Sequence, residues 1–288
     1  MQPLIVHALA VWKLAGERHL GLIAAGVAFF AMLAIFPAIA ALVALAALWV
    51  SPEVVPELME TTAELLPEEA YELVFQRAEQ LAGTASGTLG LTSALSLLLA
   101  LWWARLGAGA LAGGLTAIYD GQPRGGLRGT VVALGLTLMM IGLGLTAILA
   151  MLVVPLVMTT IGWFIEDGGF LYWLAELLRW AVALGALTIG LGLFYRFGPY
   201  RPGTKRSPFL SPGLFLAIGL WTAVSLGFTI YMANFGDFDE IYGSIGAVVV
   251  LMLWFYFSAY AVLIGAVLNY RLERRRDEAD PVAPILQG

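Results

Sequence analysis

Six long apolar stretches dominate the pattern of hydrophobic and polar positions along the chain. Each is long enough to cross the hydrocarbon core of a bilayer, which is about 30 Å thick and takes about 20 residues of helix. The pattern therefore predicts an all-α, polytopic membrane protein with six transmembrane helices in a single membrane domain over residues 1–275. The stretches are residues 20–50, 89–119, 130–165, 171–195, 212–233 and 242–270.

Two prolines fall inside stretches that are longer than one straight crossing requires. Pro37 lies in the first stretch and Pro155 in the third. Because proline removes a backbone hydrogen bond and crowds the preceding turn, both positions are predicted helix kinks. Two crossings and a turn need more than about 40 residues, so the third stretch counts as one crossing.

Three polar segments lie outside the apolar stretches. Residues 1–19 favour an interfacial amphipathic helix on the membrane surface, although a frayed tail also fits the pattern. Residues 51–88, which include the acidic run 53–83, predict outer amphipathic helices that form a structural cap, a lid or a filter against anions. Residues 276–288 are a predicted flexible cytoplasmic tail.

The basic residues are distributed unequally between the two sides of the membrane. With six crossings, twelve of the 15 Lys and Arg residues fall on one side and only Arg77 and Arg179 on the other. Positively charged loops stay in the cytoplasm, so both termini are predicted to be cytoplasmic. Fourteen of the 20 acidic residues fall on the opposite side.

The residue types needed for most catalytic sites are scarce. The chain has no cysteine and two histidines, His7 and His19, both in the N-terminal segment. No HExxH, P-loop or Gly-x-Ser-x-Gly motif occurs. No basic stripe is interleaved with aromatic residues as in RNA-binding proteins. We therefore predict no enzymatic activity, no catalytic residue, no metal site, no cofactor and no nucleic-acid partner.

Polar residues within or beside the apolar stretches are the candidates for a binding site. Arg105 is the only ionisable residue deep in a stretch, and it either faces a cavity or snorkels to the cytoplasmic interface. Arg196 and Arg201 flank the inner end of the fourth stretch and either gather substrate headgroups or anchor the helix. The candidate substrate-binding residues are Arg105, Arg196, Arg201, Tyr119, Asn234, Tyr242 and Asn269, of which Asn234 and Asn269 also fit a capping role.

Three motifs are similar to those of a known family. AAGVAFFAMLAIFPAIAALVAL (24–45), YRFGPY (195–200) with SPG (211–213), and IYGSIGAVVVLMLWFYFSAYAVLIGAVLNYRLER (241–274) resemble the YihY/BrkB family of bacterial inner-membrane proteins. The resemblance extends from about residue 10 to residue 275. It implies six helices with both ends cytoplasmic, in the bacterial inner membrane. Some members carry an old ribonuclease BN label, which these residues do not support.

The chain departs from the family pattern in two places. WWARLGAGA (102–110) replaces a serine-containing stretch of many relatives, and Arg105 is the only charge there. GAVLN (265–269) has Val267 where relatives commonly carry an acid, which puts in doubt any role of that carboxylate.

The resemblance links the family to envelope biogenesis, with export of lipid or lipopolysaccharide precursors suggested. The leading hypothesis is therefore a protein that binds or translocates a lipid or an amphiphilic envelope precursor, with membrane lipids as partners. The alternative is a non-transporting scaffold or assembly factor that binds another envelope protein through residues 51–88. A small-ion channel is a weaker hypothesis, because no ring of charged or carbonyl-rich filter residues is present. The oligomeric state stays open.

Overall fold

The computed structural model describes residues 11, 13–49, 86–122, 124–162, 169–201, 208–234 and 239–279. All regular secondary structure in these ranges is helical, and each long helix contains a segment long and apolar enough to cross a membrane. The predicted all-α class and the six crossing helices are therefore confirmed. The helices are α1 (Leu20–Trp49), α2 (Ser86–Ile118), α3 (Gly126–Gly162), α4 (Gly169–Phe197), α5 (Pro212–Asn234) and α6 (Asp239–Ala279).

Several helices extend past the apolar stretches that predicted them. α3 begins at Gly126 rather than residue 130, and α6 continues to Ala279 rather than ending at residue 270. The sequence RLERRRDEA after Tyr270 is rich in good helix formers, and Arg274 pairs with Glu278 one turn later at 3.4 Å. Charged residues at this end therefore prolong the helix instead of terminating it.

Both predicted kink positions lie within continuous helices. α1 continues through Pro37 to Trp49, and α3 continues through residue 155 to Gly162. Bending at Pro37 and Pro155 stays a prediction. Most of the predicted outer segment 51–88 and of the tail 276–288 lies outside the described residues, as do residues 1–10. Residues 13–17 of the predicted interfacial segment are helical and end in a turn where His19 has φ 50°.

The chain divides into two compact units. The smaller unit is Phe30–Ala104, and within it Phe30 stacks on Trp103 with ring centroids 6.3 Å apart. The larger unit comprises Met1–Phe29 and Arg105–Gly288 and contains the main core. The single-domain prediction is not tested by this division.

The core of the larger unit lies at one end of its helices. Leu20, Leu115, Ile118, Leu214 and Leu263 are completely buried there. The contributing segments are the N-terminal segment, the start of α1, the end of α2, one turn of α3, the end of α4, the start of α5 and the second half of α6. We call this region, residues 13–24, 111–128, 191–201, 208–217 and 259–279, the basic end, because most basic residues of the unit lie in it.

The helices α5 and α6 cross with their backbones in contact at the basic end. A Cβ atom added to Gly213 would overlap the carbonyl oxygen of Gly265, and a Cβ added to Gly265 would overlap that of Gly213. Further along the pair, Trp221 meets Trp254 edge-on at 6.3 Å. Small residues allow this close approach, which gives membrane helices much of their packing energy.

Candidate functional site

Helix α2 ends in a hydrogen-bonded turn with an aspartate in a strained position. The Gly121 amide donates to the Thr116 carbonyl at 2.9 Å, and the Asp120 amide donates to the Ala117 carbonyl at 3.3 Å. These bonds form a Schellman motif, whose left-handed residue is usually glycine. Here that residue is Asp120, with φ 53°. An aspartate at this position indicates that its carboxylate makes contacts that offset the backbone strain.

The Asp120 carboxylate joins three separate segments. Its Oδ1 accepts a hydrogen bond from Arg18 at the end of the N-terminal segment, and its Oδ2 accepts one from the Tyr270 hydroxyl of α6 at 2.5 Å. Arg274 in turn donates to the Tyr270 hydroxyl at 3.4 Å. The Tyr270 hydrogen bond lowers the pKa of Asp120, and Arg18 lowers it further, against the opposing effect of desolvation. The carboxylate is therefore ionised at neutral pH.

Substituting Asp120 by asparagine tests this junction, because asparagine tolerates the left-handed backbone but carries no charge. We expect the variant to lose about 0.5–1 kcal/mol of stability, as for partly exposed ion pairs. Since the folded-state pKa lies below the usual value, the carboxylate stabilises the fold above about pH 4 and the effect is lost only as pH falls through the lowered pKa. Thermal unfolding in detergent should thus give equal differences from wild type at pH 8 and pH 5.5. A difference that disappears between these values would contradict the assignment.

The link between α4 and α5 is fixed to the link between α2 and α3 by one arginine. Arg124 donates to the carbonyl oxygens of Phe197 (2.8 Å), Gly198 (2.7 Å) and Pro199 (3.3 Å), and its guanidinium lies 5.3 Å from the Tyr200 ring centroid. A cation at a helix C-terminus satisfies carbonyls that have no partner within the helix. The YRFGPY motif is thereby held against the link between α2 and α3, and the Tyr200 amide donates to the Thr116 hydroxyl of α2 at 3.2 Å.

Arg201 packs against Tyr119 and Glu273 at the basic end. Its guanidinium stacks on the Tyr119 ring at 3.9 Å and pairs with Glu273 at 2.7 Å. Tyr119 meets the Tyr270 ring edge-on at 5.6 Å. Because only 12% of the Arg201 side chain is exposed, its position is set by these contacts. Two of the predicted substrate-binding residues, Arg201 and Tyr119, are therefore in direct contact.

An open cleft of about 430 Å³ lies between the N-terminal helical segment and the end of α6. Its basic side chains come from both walls: one lysine from residues 13–17 and three arginines from α6. Two glutamates, one leucine and one tyrosine complete the lining. The cleft residues are Lys13, Leu14, Glu17, Tyr270, Arg271, Arg274, Arg275 and Glu278. Four cations against two carboxylates give the cleft a net charge of +2.

Arg105 is half-buried on α2 and extends toward the basic end. Gly109, one turn after Arg105 on α2, lies beside Ala133 of α3. Since α3 runs back along α2, the α3 residue at the same level as Arg105 is one turn after Ala133, near Thr137. The Arg105 Nη1 instead lies 3.4 Å from Oγ1 of Thr130, about one turn closer to the start of α3 than Ala133. This direction supports the snorkelling interpretation.

The other predicted binding residues lie in different surroundings. Arg196 is exposed in the last turn of α4, apart from the cleft. Asn269 is buried, and its side chain accepts from the Gly213 amide at 2.7 Å and donates to the Ser211 hydroxyl at 2.8 Å. It thus fits the capping alternative, at the start of α5. The side chains of Asn234 and Tyr242 lie outside the described residues, so their roles stay predictions.

The sequence interpretation missed Asp120, Tyr270 and the cleft. Asp120 is followed directly by Gly121, a sign of a helix end that could have drawn attention to it. In the sequence, the cleft arginines serve only as evidence for topology. Their spacing of three and four residues on α6 places them on one helical face, which is a usable signal for a shared ligand.

Comparison with known proteins gives the same family as the motifs. A sequence model of the family described as Virulence factor BrkB matches residues 11–285. The chain belongs to the BrkB family. The ribonuclease-like protein YfkH of Bacillus subtilis is 31% identical over 188 residues, which cover 63% of this chain and 66% of that protein. A UPF0761 membrane protein of Xanthomonas oryzae is 36% identical over 140 residues, which cover 48% of this chain and 30% of that protein.

The Xanthomonas relatives are much longer than the part that they share with this BrkB-family chain. A UPF0761 membrane protein of Xanthomonas axonopodis is 35% identical, again over 30% of its length, so the chain spans less than a third of these Xanthomonas relatives. No solved structure matches the chain. Within the described ranges, no three His, Asp or Glu residues are grouped closely enough to hold a metal ion.

Proposed function

We propose that this BrkB-family membrane protein binds an anionic amphiphile at the basic end and moves it between the two leaflets. The observation that carries the proposal is the cleft between residues 13–17 and α6, where four cations converge on one concave surface. The positive-inside rule alone predicts basic residues on this side, but it does not predict that their side chains line one cleft. Concave sites with a few convergent polar groups are the usual form of ligand sites.

The position of the cleft along the crossing helix fits a lipid headgroup. The apolar crossing segment of α6 is Val248–Arg276, so the cleft arginines lie where the crossing gives way to the charged end of the helix. Arg105 supplies a further guanidinium that extends toward the same end of the larger unit. On this proposal the basic end faces the cytoplasm of a bacterial inner membrane, the cleft gathers headgroups, and the protein performs no enzymatic reaction.

The test is the movement of a fluorescent phosphatidylglycerol analogue between leaflets of proteoliposomes, followed by quenching from outside. We expect faster exchange than in protein-free vesicles, and Arg105→Ala should slow it about fivefold, the effect of about 1 kcal/mol of lost headgroup attraction per arginine. Unchanged exchange in Arg105→Ala would remove Arg105 from the proposal. Exchange equal to that of empty vesicles would contradict transport.

Arg128→Gln is the matched control for that experiment. Arg128 is an exposed arginine near the start of α3, on the same side of the larger unit, and it does not line the cleft. Its removal lowers the basic charge of the surface by the same amount as Arg105→Ala. We expect exchange within about twofold of wild type, because a single exposed charge contributes little without a specific contact.

A further inference from the structure

An ion pair lies inside the crossing segment of α4, at the end away from the basic end. The crossing segment is Tyr172–Phe197, and Glu176 and Arg179 are about 6 Å and about 10 Å along it at the rise of an α-helix. α4 enters the basic end only at residue 191, about 22 Å after Glu176. Charged residues in a crossing helix are costly to expose to hydrocarbon, and they usually mark a functional site. The pair therefore needs polar surroundings or a polar partner at this depth.

The Glu176 carboxylate uses one of its two oxygens within α4. Arg179 Nη2 donates to Oε1 at 2.5 Å, and Trp180 Nε1 donates to the same Oε1 at 2.7 Å. The other oxygen, Oε2, takes part in neither bond, and 51% of the Glu176 side chain is exposed. Because an ionised carboxylate has acceptor sites on both oxygens, Glu176 can accept from a further donor outside the helix.

Arg179 is held from the side of the helix bundle. Only 23% of its side chain is exposed, and its Nε is buried without a hydrogen-bond acceptor among the described residues. Ala175, one turn earlier on the same helical face, is buried as well. The guanidinium is thereby positioned beside the Glu176 carboxylate, with part of it at the surface. The two residues have no net charge together, but they present one acceptor and one cationic donor side by side.

The exposed face of α4 indicates what surrounds the ion pair. Trp173 and Trp180 are exposed, about one turn on either side of Glu176. Tryptophan is enriched where membrane and water meet, with its ring at the level of the lipid headgroups. Leu177 and Leu184 are exposed on the same face and continue it toward the interior of the membrane. The ion pair therefore lies where a lipid headgroup gives way to its acyl chains.

We infer that Glu176 and Arg179 bind the headgroup of a zwitterionic lipid that combines a phosphate with a primary ammonium, as in phosphatidylethanolamine. The ammonium donates to Glu176 Oε2, and the phosphate oxygens accept from the Arg179 guanidinium. The trimethylammonium of phosphatidylcholine has no N–H to donate, and phosphatidylglycerol brings an anion beside the carboxylate without a cation. This site goes beyond the proposed function, because it lies at the other end of α4 and does not require that lipid moves.

The test is lipid binding at this site in vesicles, measured on the full-length chain. The protein has no cysteine, so Leu177→Cys provides a single position for a bimane fluorophore. Lipids with a nitroxide near the top of one acyl chain quench this label when they occupy the site. We expect phosphatidylethanolamine to bind at least about threefold more tightly than phosphatidylcholine or phosphatidylglycerol, as for a hydrogen bond to a charged group.

A label on α5 is the matched control for position. Leu226 is also exposed in a crossing helix, at a similar distance from the basic end, and α5 has no charged residue. Leu226→Cys with the same label should show binding of the three lipids within about 1.5-fold of one another, because apolar contacts alone do not distinguish headgroups.

Glu176→Gln in the labelled Leu177→Cys chain tests the role of the carboxylate. The side chain keeps its size but loses its charge, so the preference for phosphatidylethanolamine should disappear. Binding of phosphatidylglycerol should rise at least about twofold, because the Arg179 charge is then no longer neutralised. A purely structural role of Glu176 would not produce this reversal. Arg128→Gln, at the opposite end of the larger unit, should leave all three values unchanged.

Thermal unfolding checks that the Glu176→Gln variant is folded. If it is not, Arg179→Lys replaces it, since lysine keeps the charge but cannot donate paired hydrogen bonds to a phosphate. The preference for phosphatidylethanolamine should then fall about twofold, the effect of a weakened phosphate contact.

The outcomes that contradict this site differ from those that contradict transport. Equal quenching by the three lipids at Leu177→Cys overturns the inference and leaves the proposed function in place, because the label does not report on the cleft. Loss of the preference in excess soluble phosphoethanolamine also overturns it, since the ligand is then a free headgroup rather than a lipid. Quenching by every lipid that is much weaker than at Leu226→Cys overturns it as well, because a second protein copy then covers the ion pair.

Discussion

Gly265→Ala is expected to disrupt the packing of α5 and α6 and to lower the stability of the protein by about 3 kcal/mol or more, at the upper end of over-packing effects. The added methyl group would overlap the Gly213 carbonyl oxygen and the Tyr195 hydroxyl, and would lie 2.9 Å from the Ala217 Cβ. A backbone carbonyl within a helix cannot rotate away, so relief requires the two helices to separate. The overlap with the Tyr195 hydroxyl would also disturb the 2.7 Å hydrogen bond that this hydroxyl donates from α4 to the Val262 carbonyl of α6.

The measurement is the thermal unfolding temperature of the purified chain in detergent, together with the yield of monodisperse protein. The expected loss corresponds to a decrease of about 6–12 °C. Gly219→Ala is the matched control, because Gly219 also lies in α5 but has open space where its Cβ would be. That variant should be as stable as wild type or slightly more stable. If Gly265→Ala unfolds at the same temperature as Gly219→Ala, the backbones of α5 and α6 are not in close contact.

The number and type of the helices could be predicted from the sequence because they depend on local properties. A helix that crosses a bilayer must satisfy its own backbone hydrogen bonds over about 20 apolar residues, and this requirement is visible in any window of the sequence. The same argument gave no information about which helices pack together. Gly213 and Gly265 are 52 positions apart in the chain, and their contact depends on the packing of two complete helices.

The candidate site was only partly predictable, for a related reason. Arg201 was identified by its position next to FGPY, but its stacking on Tyr119 and its pairing with Glu273 join residues 72 or more positions apart. Asp120 is joined to Arg18 and Tyr270 in the same way. Such pairs depend on tertiary packing, so the pattern of a single segment cannot predict them. The sequence shows Arg105 as the ionisable residue deep in an apolar stretch, whereas its direction toward Thr130 depends on the position of α3.

The departure from the family pattern at Val267 also has a packing explanation. Val267 is completely buried in the core of the larger unit, two residues after Gly265 and two before Asn269. An ionised carboxylate in such apolar surroundings needs a specific partner, because burying an unpaired charge is very costly. Valine avoids this requirement. The function of this chain therefore does not depend on a carboxylate at this position, and the basic cleft is the better candidate site.

Asn269→Leu is expected to lower the stability of the protein by about 2–4 kcal/mol, because it removes a side chain that satisfies two buried polar groups. In wild type the Asn269 Oδ1 accepts from the Gly213 amide at 2.7 Å, and its Nδ2 donates to the Ser211 hydroxyl at 2.8 Å. The Gly213 amide belongs to the first turn of α5, where amides have no partner within the helix.

A double-mutant cycle with Ser211→Ala separates the two contacts of Asn269. Ser211 is buried and also accepts from the Leu214 amide at 3.3 Å as the N-cap of α5, so Ser211→Ala alone should cost about 1 kcal/mol. If Asn269 and Ser211 act as one network, the double variant should lose about 1 kcal/mol less than the sum of the single losses. The measurement is thermal unfolding in detergent for all four proteins. Strictly additive losses would show that Asn269 acts on Gly213 alone. Wild-type stability in Asn269→Leu would instead exclude the cap and return Asn269 to the candidate ligand-binding residues.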